Sequence, residues 1–373
     1  MAADDIVLLT GLPSLLARAV CAEILRADER AAVYAVVRTK SLDDARAILA
    51  ELPSEQRERV HVVEGDAAAI DFGLSGGEYK ALAREVTRIH HCAQVTYLGV
   101  DRKTAEHANV RGASEVLEFA SSCEKLSSLV FQSTAHVAGD RRGAVLESDL
   151  KAGQAFRNVV EETKARAEKL MRDAMDRLPI AVIRPATIVG DSRTGEIDRF
   201  DGPYLLVMLV ITSPPDLALP LPGLGDEPLN VVPIDWVARA SVALGSDPRA
   251  LGRTFHLVDP QPLPARRAFE LVARASGRRG PRGSIPANLA KALMRAPGIE
   301  RIAKSPRAFL ETLTTRVVYD ARNAEELLPT LGVRACPPFE TYVDKLVEYV
   351  QQRMRRRQQA PRKPDVEIED PLA

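Results

Sequence analysis

The stretch Ile6-Val7-Leu8-Leu9-Thr10-Gly11 near the start of the chain predicts its fold. Four consecutive apolar residues before Thr10 indicate a short buried strand over 6–10, and the Ala/Leu-rich segment after Gly11 predicts a helix over 15–26. The same alternation recurs, with strands predicted over 33–37, 60–64, 86–92, 129–133 and 180–184, and helices over 41–52, 109–122 and 156–176. Strands that alternate with helices of this length predict an α/β fold, a doubly wound parallel sheet with helices on both faces.

The regular alternation ends after Pro185. Prolines and glycines are frequent over 202–233, and the residues that follow predict helices over 235–244 and 264–276, a strand over 254–258 and a mostly helical segment over 285–350. In doubly wound proteins, late elements of this kind cover the crevice at the carboxyl ends of the strands. We therefore predict a doubly wound domain over 1–200, a smaller, mostly helical substrate-side region over 201–350 interwoven with late sheet elements over 233–260, and a disordered charged tail over 351–373.

The composition indicates a soluble protein without a metal centre. The 373 residues are 46% hydrophobic and 27% charged and carry no formal net charge, so no general attraction to nucleic acid is expected. The four cysteines are scattered and form no C-x-x-C pair, which predicts free thiols in a reducing compartment. The N-terminus shows no cleavage signal, and the longest apolar run, 204–211, is too short to span a bilayer. We expect a cytoplasmic protein with no transmembrane segment and no nucleic-acid partner.

Short motifs follow the predicted elements in a fixed order. They include Leu9-Thr10-Gly11, Val36-Val37-Arg38, Glu64-Gly65-Asp66, Asn109-Val110-Arg111-Gly112, Ser133-Thr134-Ala135, Thr163-Lys164, Ile183-Arg184-Pro185 and Val232-Pro233-Ile234-Asp235. These motifs are spread over nearly all of residues 5–350. With them, the chain resembles the extended (atypical) short-chain dehydrogenases/reductases, nearest to the thioester reductase and fatty acyl-CoA reductase branch. The resemblance implies that residues 1–200 form a Rossmann-type dinucleotide-binding domain.

The resemblance implies a pyrophosphate site at the first turn. There, Thr10, Gly11, Ser14 and Leu15 would surround the phosphates, at a helix N-terminus whose N–H groups favour anions. Relatives carry glycine at the positions of Ser14 and Ala17, where the backbone approaches the cofactor and the helix packs on the strand. Ala17 adds one methyl group, whereas Ser14 places a side chain near the phosphate and offers a hydroxyl donor. The sequence therefore leaves two alternatives open: binding of the dinucleotide is weakened or lost, or it is retained.

The resemblance also implies contacts to the rest of NADP(H). Arg38 would bind the 2′-phosphate, Asp66 the adenine amino group, and Lys164 the nicotinamide ribose. Each residue has a plainer interpretation: Arg38 as an exposed cation at a strand end, Asp66 as a turn residue, and Lys164 as a solvated helix residue.

The expected proton donor is missing. Relatives place a Tyr four residues before the Lys, one helical turn away and on the same face, and that position is Val160 here. Thr134 and Lys164 match the two residues that assist the Tyr. General acid catalysis contributes about 10² to 10⁴ in rate, so its loss predicts a very slow enzyme. His136, two residues after Thr134, is an alternative donor, and packing at the strand end is the competing interpretation.

Two functional hypotheses follow. The first is a catalytically degenerate member of the family, a pseudoenzyme that acts by binding a nucleotide or a protein partner. The second is an active NADPH-dependent oxidoreductase that reduces an acyl thioester or an aldehyde, with His136 or water supplying the proton. The resemblance also suggests a homodimer, and fold alone does not decide between the hypotheses.

Overall fold

The computed structural model describes residues 5–97, 99–200, 203–212, 221–222, 225–285 and 317–359. Its strands are β1 (Asp5–Thr10), β2 (Ala31–Val37), β3 (Val60–Glu64), β4 (Arg88–His91), β5 (Ser128–Gln132), β6 (Gly143–Val145), β7 (Ile180–Pro185), β8 (Thr187–Val189), β9 (Leu221–Pro222), β10 (Val231–Pro233), β11 (Thr254–Leu257), β12 (Ser284–Ile285) and β13 (Val317–Tyr319). Its α-helices are α1 (Leu15–Ala27), α2 (Leu42–Leu49), α3 (Ser54–Arg57), α4 (Gly76–Glu85), α5 (Arg102–Ala105), α6 (Gly112–Ser122), α7 (Val159–Asp173), α8 (Pro203–Thr212), α9 (Ile234–Gly245), α10 (Ala265–Ala275), α11 (Arg322–Leu327) and α12 (Val343–Gln359).

Seven of these strands form one parallel sheet in the order β11-β7-β5-β4-β1-β2-β3. The chain runs outward from β1 through β2 to β3, and then returns to the other side of β1 with β4, β5, β7 and β11. The direction of winding therefore reverses between β1 and β4. In open α/β sheets the crevice at such a reversal is where ligands bind, so the carboxyl ends of β1 and β4 mark the candidate site.

Apolar side chains on the two faces of the sheet bury two separate layers of helices. On one face Val7, Leu9 and Val33 pack with α1 and α9, and on the other Leu8, Ile89, Leu129 and Phe131 pack with α4, α6 and α7. The alternation of Leu8 and Leu9 between the layers follows from the two-residue repeat of a strand. The predicted α/β fold with a doubly wound parallel sheet is confirmed.

The late helices form a further apolar cluster away from the sheet. Tyr204 of α8, Phe269 of α10 and Val347 of α12 pack together there with Val189 and Phe339. The described part of the substrate-side region is thus mostly helical, as predicted. The boundaries of the predicted domains stay predictions, and residues 286–316 of the segment predicted as mostly helical lie outside the described residues.

Two predicted element boundaries differ from the structure by more than three residues. The helix predicted to start at 109 is preceded by α5 and by a π-helical segment, Glu106–Arg111, so helical structure begins at Arg102. The tail predicted to be disordered from 351 is helical over 351–359, because α12 continues to Gln359 and Met354 packs against the cluster of late helices. Met354 lies four residues after the buried Val350 and so continues the apolar stripe, and Gln, Arg and Met all favour helix.

Candidate nucleotide-binding site

The turn between β1 and α1 requires a glycine. Gly11 has a φ of +105°, and a Cβ on it would lie 2.6 Å from the backbone carbon of Cys92, at the end of β4. Ser14 caps α1, since its Oγ accepts a hydrogen bond from Ala17 N at 3.4 Å and its hydroxyl proton stays available. Ala17 is fully buried between helix and sheet. The extra methyl group of Ala17 is therefore accommodated, and Ser14 lies at the N-terminus of α1, where an anion is favoured.

Thr10 stabilises this turn from inside the sheet. Its Oγ1 lies 2.8 Å from Nδ1 of His91 and accepts a hydrogen bond from Ala93 N at 3.1 Å. Thr10 is fully buried, so its side chain holds β1 and β4 together instead of facing a ligand. Leu15 is the first residue of α1 and is partly buried.

A cleft opens next to the Gly11 turn. It brings together Arg38 at the end of β2 and Asp66 after β3, as the sequence predicts. The complete lining is Gly11, Leu12, Val36, Arg38, Asp66, Ala67, Ala68, Ala93, His107 and Ala108. Asp66 also makes the local turn of its plainer interpretation, since Oδ1 accepts from Ala68 N at 2.9 Å. A glycine, several alanines, a cation and a carboxylate fit an adenosine phosphate.

His107 also lines the cleft, and the sequence did not predict it as a site residue. His107 belongs to the π-helical segment before α6, where no helix was predicted. Only an earlier start of that helix, signalled by Asp101 as its N-cap, would have placed His107 near the cleft.

Lys164 lies buried on α7 beside the end of β5. It is 3% exposed, and its ammonium donates to the backbone oxygen of Gln132 at 3.1 Å and to Oε1 of Gln94. Both acceptors are neutral oxygens. Burial lowers the pKa of Lys164 to about 7, opposed by the nearby Cys92 and Glu168. Lys164 is therefore not the solvated helix residue of the plainer interpretation.

Thr134 and His136 lie together after β5. Oγ1 of Thr134 accepts from His136 N at 3.2 Å and starts a 3₁₀ turn over Ala135–Ala138. Nε2 of His136 lies 3.1 Å from Oγ1 of Thr187 on β8. Burial, and then the charge of Arg157, lower the pKa of His136 to about 4. The imidazole is neutral at pH 7 and engaged with Thr187, which favours packing over proton donation.

Val160 lies in an apolar cluster on the first turn of α7. It is 6% exposed and packs with Val95, Val100 and Ala105. Apolar side chains thus surround the position where the sequence comparison expects a phenol. Asn109 fixes the neighbouring segment, because its side chain accepts from Val95 N at 2.8 Å and donates to Val95 O at 3.1 Å and to Thr163 Oγ1 at 2.9 Å.

Comparison with known proteins identifies the family. The model of the male sterility protein family, a family of NAD-binding domains, matches residues 9–241, more than half of the chain. The chain belongs to the male sterility protein family. The resemblance to thioester reductases and fatty acyl-CoA reductases is thereby confirmed.

Two relatives of this male sterility family protein differ widely in the share of their own length that matches it. It is 28% identical over 268 residues to a component of the linear gramicidin synthase of Brevibacillus parabrevis, and the match covers 68% of this chain and 5% of that protein. It is 23% identical over 284 residues to fatty acyl-CoA reductase wat of Drosophila melanogaster, covering 65% of this chain and 54% of that one. The chain thus spans about half or much less of the length of these relatives.

The solved terminal R domain from the myxalamid PKS-NRPS biosynthetic pathway has a similar structure. The two chains superpose with a TM-score of 0.79 over 96% of this chain and 93% of the R domain, at 23% identity. The likeness confirms the fold. Among the described helices, none is long and apolar enough to cross a membrane.

A buried ionic network links α7 of this family member with the residue that follows β5. Oε2 of Glu168 on α7 accepts from Ser133 Oγ at 2.6 Å, and Oε1 pairs with Arg184 at 2.7 Å and with Arg172 at 2.9 Å. Glu168 and Arg184 are both fully buried. Burial raises the pKa of Glu168, but Arg184, Arg172 and the Ser133 hydroxyl together outweigh burial and hold that pKa below its usual value. Ser133 directly follows β5 and precedes Thr134. Its hydrogen bond to Glu168 therefore fixes the end of β5 against α7.

Four histidines with lowered pKa values, three of them buried and His136 partly buried, predict a loss of stability in mild acid. Burial lowers the pKa of His90 and His91 to about 3, and that of His136 and His256 to about 4. The unfolded chain takes up these protons below its ordinary histidine pKa of about 6.5, and the folded chain does not, so their contribution is present above 6.5 and lost as the pH falls. Glu147 acts oppositely, because burial raises its pKa to about 7, so it offsets part of this loss.

We therefore expect the free energy of unfolding to fall by at least about 2 kcal/mol between pH 7.5 and pH 5. Urea denaturation at the two pH values measures the change. His90→Leu removes one of the four groups and should reduce the difference. Equal stability at both pH values would contradict the burial of these neutral imidazoles.

Proposed function

We propose that this chain binds NADP(H) in the cleft beside Gly11, that it has lost strong reductase activity, and that it acts through nucleotide binding. One observation carries the proposal. The cleft and the buried Lys164 are retained, while Val160 and its apolar neighbours occupy the position of the family's proton donor. Such a protein can recognise the cofactor without turning over a substrate at ordinary rates.

The residues that would hold the nucleotide lie along the β1–β4 crevice. Gly11 and the N-terminus of α1 suit the pyrophosphate, Arg38 the 2′-phosphate, Asp66 the adenine, and Lys164 the nicotinamide ribose. When bound, the reduced nicotinamide supplies a hydride.

The slow step in the reduction of a substrate would be protonation of the substrate oxygen. Val160 has no proton to give, and His136 is neutral and bound to Thr187. The missing general acid alone accounts for about 10² to 10⁴ in rate. We propose that evolution of this chain kept recognition and gave up proton transfer.

A second candidate function is NADPH-dependent reduction of an acyl thioester or an aldehyde. The retained Thr134 and Lys164, and the reductase name of the Drosophila relative, favour it. Turnover of wild type at ordinary rates, abolished in His136→Ala, would establish this candidate and refute the first.

The chain's partners follow from the same relatives. Part of a gramicidin synthase matches this chain, so we propose an acyl thioester, presented by a protein partner, as the ligand class of the substrate-side region. Homodimer formation and a cytoplasmic location stay predictions.

The Arg38 assignment predicts selectivity for NADP over NAD. Arg38 is partly buried in the cleft lining. A charge-assisted hydrogen bond is worth about 1.5 to 3 kcal/mol, so Arg38→Ala should weaken NADP binding by about 10- to 100-fold and leave NAD binding nearly unchanged. Calorimetry with both cofactors measures this, with Arg38→Lys as the control that keeps the charge. Equal affinity of wild type for NADP and NAD would refute the assignment.

A further inference from the structure

Several buried polar atoms around Lys164 have no hydrogen-bond partner among the described residues. They are His91 Nε2, both amide atoms of Gln132 and Nε2 of Gln94. Of these side chains, that of Gln94 contacts Lys164 directly, through Oε1. While Lys164 is charged its ammonium group only donates, so this contact fixes the orientation of the amide, with its oxygen toward Lys164 and its NH₂ group away. Gln94 therefore presents an oriented donor that none of the described residues uses.

The position of Gln94 along the chain relates this donor to the site. The preceding residue, Ala93, lines the cleft, and the following residue, Val95, packs against Val160. The backbone of Val95 is held on both sides by Asn109. Gln94 is consequently fixed between the cleft and the position of the family's missing phenol.

Burial makes the unused donor costly. Gln94 is 3% exposed, so its donor has lost its hydrogen bond to water, and a buried donor without an acceptor destabilises the folded protein. An apolar side chain at this place would avoid that cost. An acceptor supplied by a ligand would offset it.

We propose that Gln94 is a ligand-binding residue, oriented by Lys164, whose Nε2–H donates a hydrogen bond to an acceptor oxygen of the bound ligand. The inference rests on the proposed NADP(H) site. Two oxygens have the required chemistry: a hydroxyl of the nicotinamide ribose, and the carbonyl of an aldehyde or acyl thioester. The contact involves no proton transfer, so it serves a binding protein as well as a slow enzyme.

Two substitutions separate the donor from the contact with Lys164. Gln94→Met keeps the approximate volume and removes both polar atoms. Gln94→Glu keeps an oxygen for Lys164 and removes the N–H donor. Calorimetry of wild type and both variants would use adenosine 2′,5′-bisphosphate, which lacks the nicotinamide ribose, then NADP, and then octanal added to the NADP complex.

We expect both variants to bind adenosine 2′,5′-bisphosphate as wild type does, which also shows that they are folded. A loss of about 10-fold in NADP affinity identifies the ribose as the acceptor, and a similar loss for octanal alone identifies the carbonyl. Wild-type or tighter affinity for NADP and octanal in either variant overturns the inference. If wild type binds neither the bisphosphate nor NADP, the proposed function fails as well, so the two failures are distinguishable.

Discussion

Val160→Tyr is expected to raise the rate of NADPH-dependent reduction of an aldehyde or acyl thioester by about 10² or more. The substitution restores a phenol one helical turn before Lys164, on the same face of α7. Lys164 is buried and bound to the end of β5, and Thr134 follows that strand, so the chain retains both residues that we propose would assist a phenol at position 160. Steady-state oxidation of NADPH measures the gain.

Val160→Phe is the matched control, because it adds the same ring without the hydroxyl. Both substitutions enlarge a side chain packed against Val95, Val100 and Ala105, and such overpacking costs about 1 to 3 kcal/mol of stability. Differences between the two variants therefore report the hydroxyl alone. If Val160→Tyr binds NADPH but turns over no faster than Val160→Phe, the missing phenol does not explain the proposed loss of reductase activity.

Glu168→Ala should lower the free energy of unfolding by about 3 to 5 kcal/mol, because it leaves the fully buried Arg184 without its carboxylate partner. Urea denaturation measures the loss. Glu162→Ala, on the same helix, is the control: Glu162 pairs with Arg102, whose side chain is 57% exposed, and solvent screens that pair.

The comparison of the two variants decides the role of the network. A loss in Glu168→Ala no larger than that in Glu162→Ala would contradict the buried ionic network. Replacing both charged partners, as Glu168→Leu with Arg184→Met, should cost less than Glu168→Ala, because the fully buried charge of Arg184 is removed with its partner and the remaining Arg172 side chain is 19% exposed.

Local patterns predicted the sheet because each strand is a short apolar run between helices. Ile6 to Thr10 and Ile180 to Arg184 were placed to within one residue of β1 and β7. The sequence prediction failed where packing overrides composition. Gln351 to Gln359 is polar and charged, but one methionine in register with Val350 extends α12.

The position of a candidate site residue could be predicted from the sequence where that residue directly follows a strand of the sheet. Gly11, Arg38 and Asp66 follow three neighbouring strands, so a parallel sheet brings them to one cleft. The roles of His136 and Gln94 were not predictable, because they depend on burial and on contacts between distant residues. The side chains of Thr187 and His136 are in hydrogen-bond contact although they lie 51 residues apart in the sequence. Those of Gln94 and Lys164 form a hydrogen bond across a separation of 70 residues.

The fluorescence of NADPH tests the central claim most directly, recorded first as wild-type protein is added and then after an excess of octanal. We predict a saturable change in emission on binding, followed by no decay after the aldehyde at rates near the 1 to 10³ s⁻¹ that are typical of enzymes. Emission that does not change with protein would contradict the nucleotide site. Decay at ordinary enzymatic rates would contradict the loss of strong reductase activity.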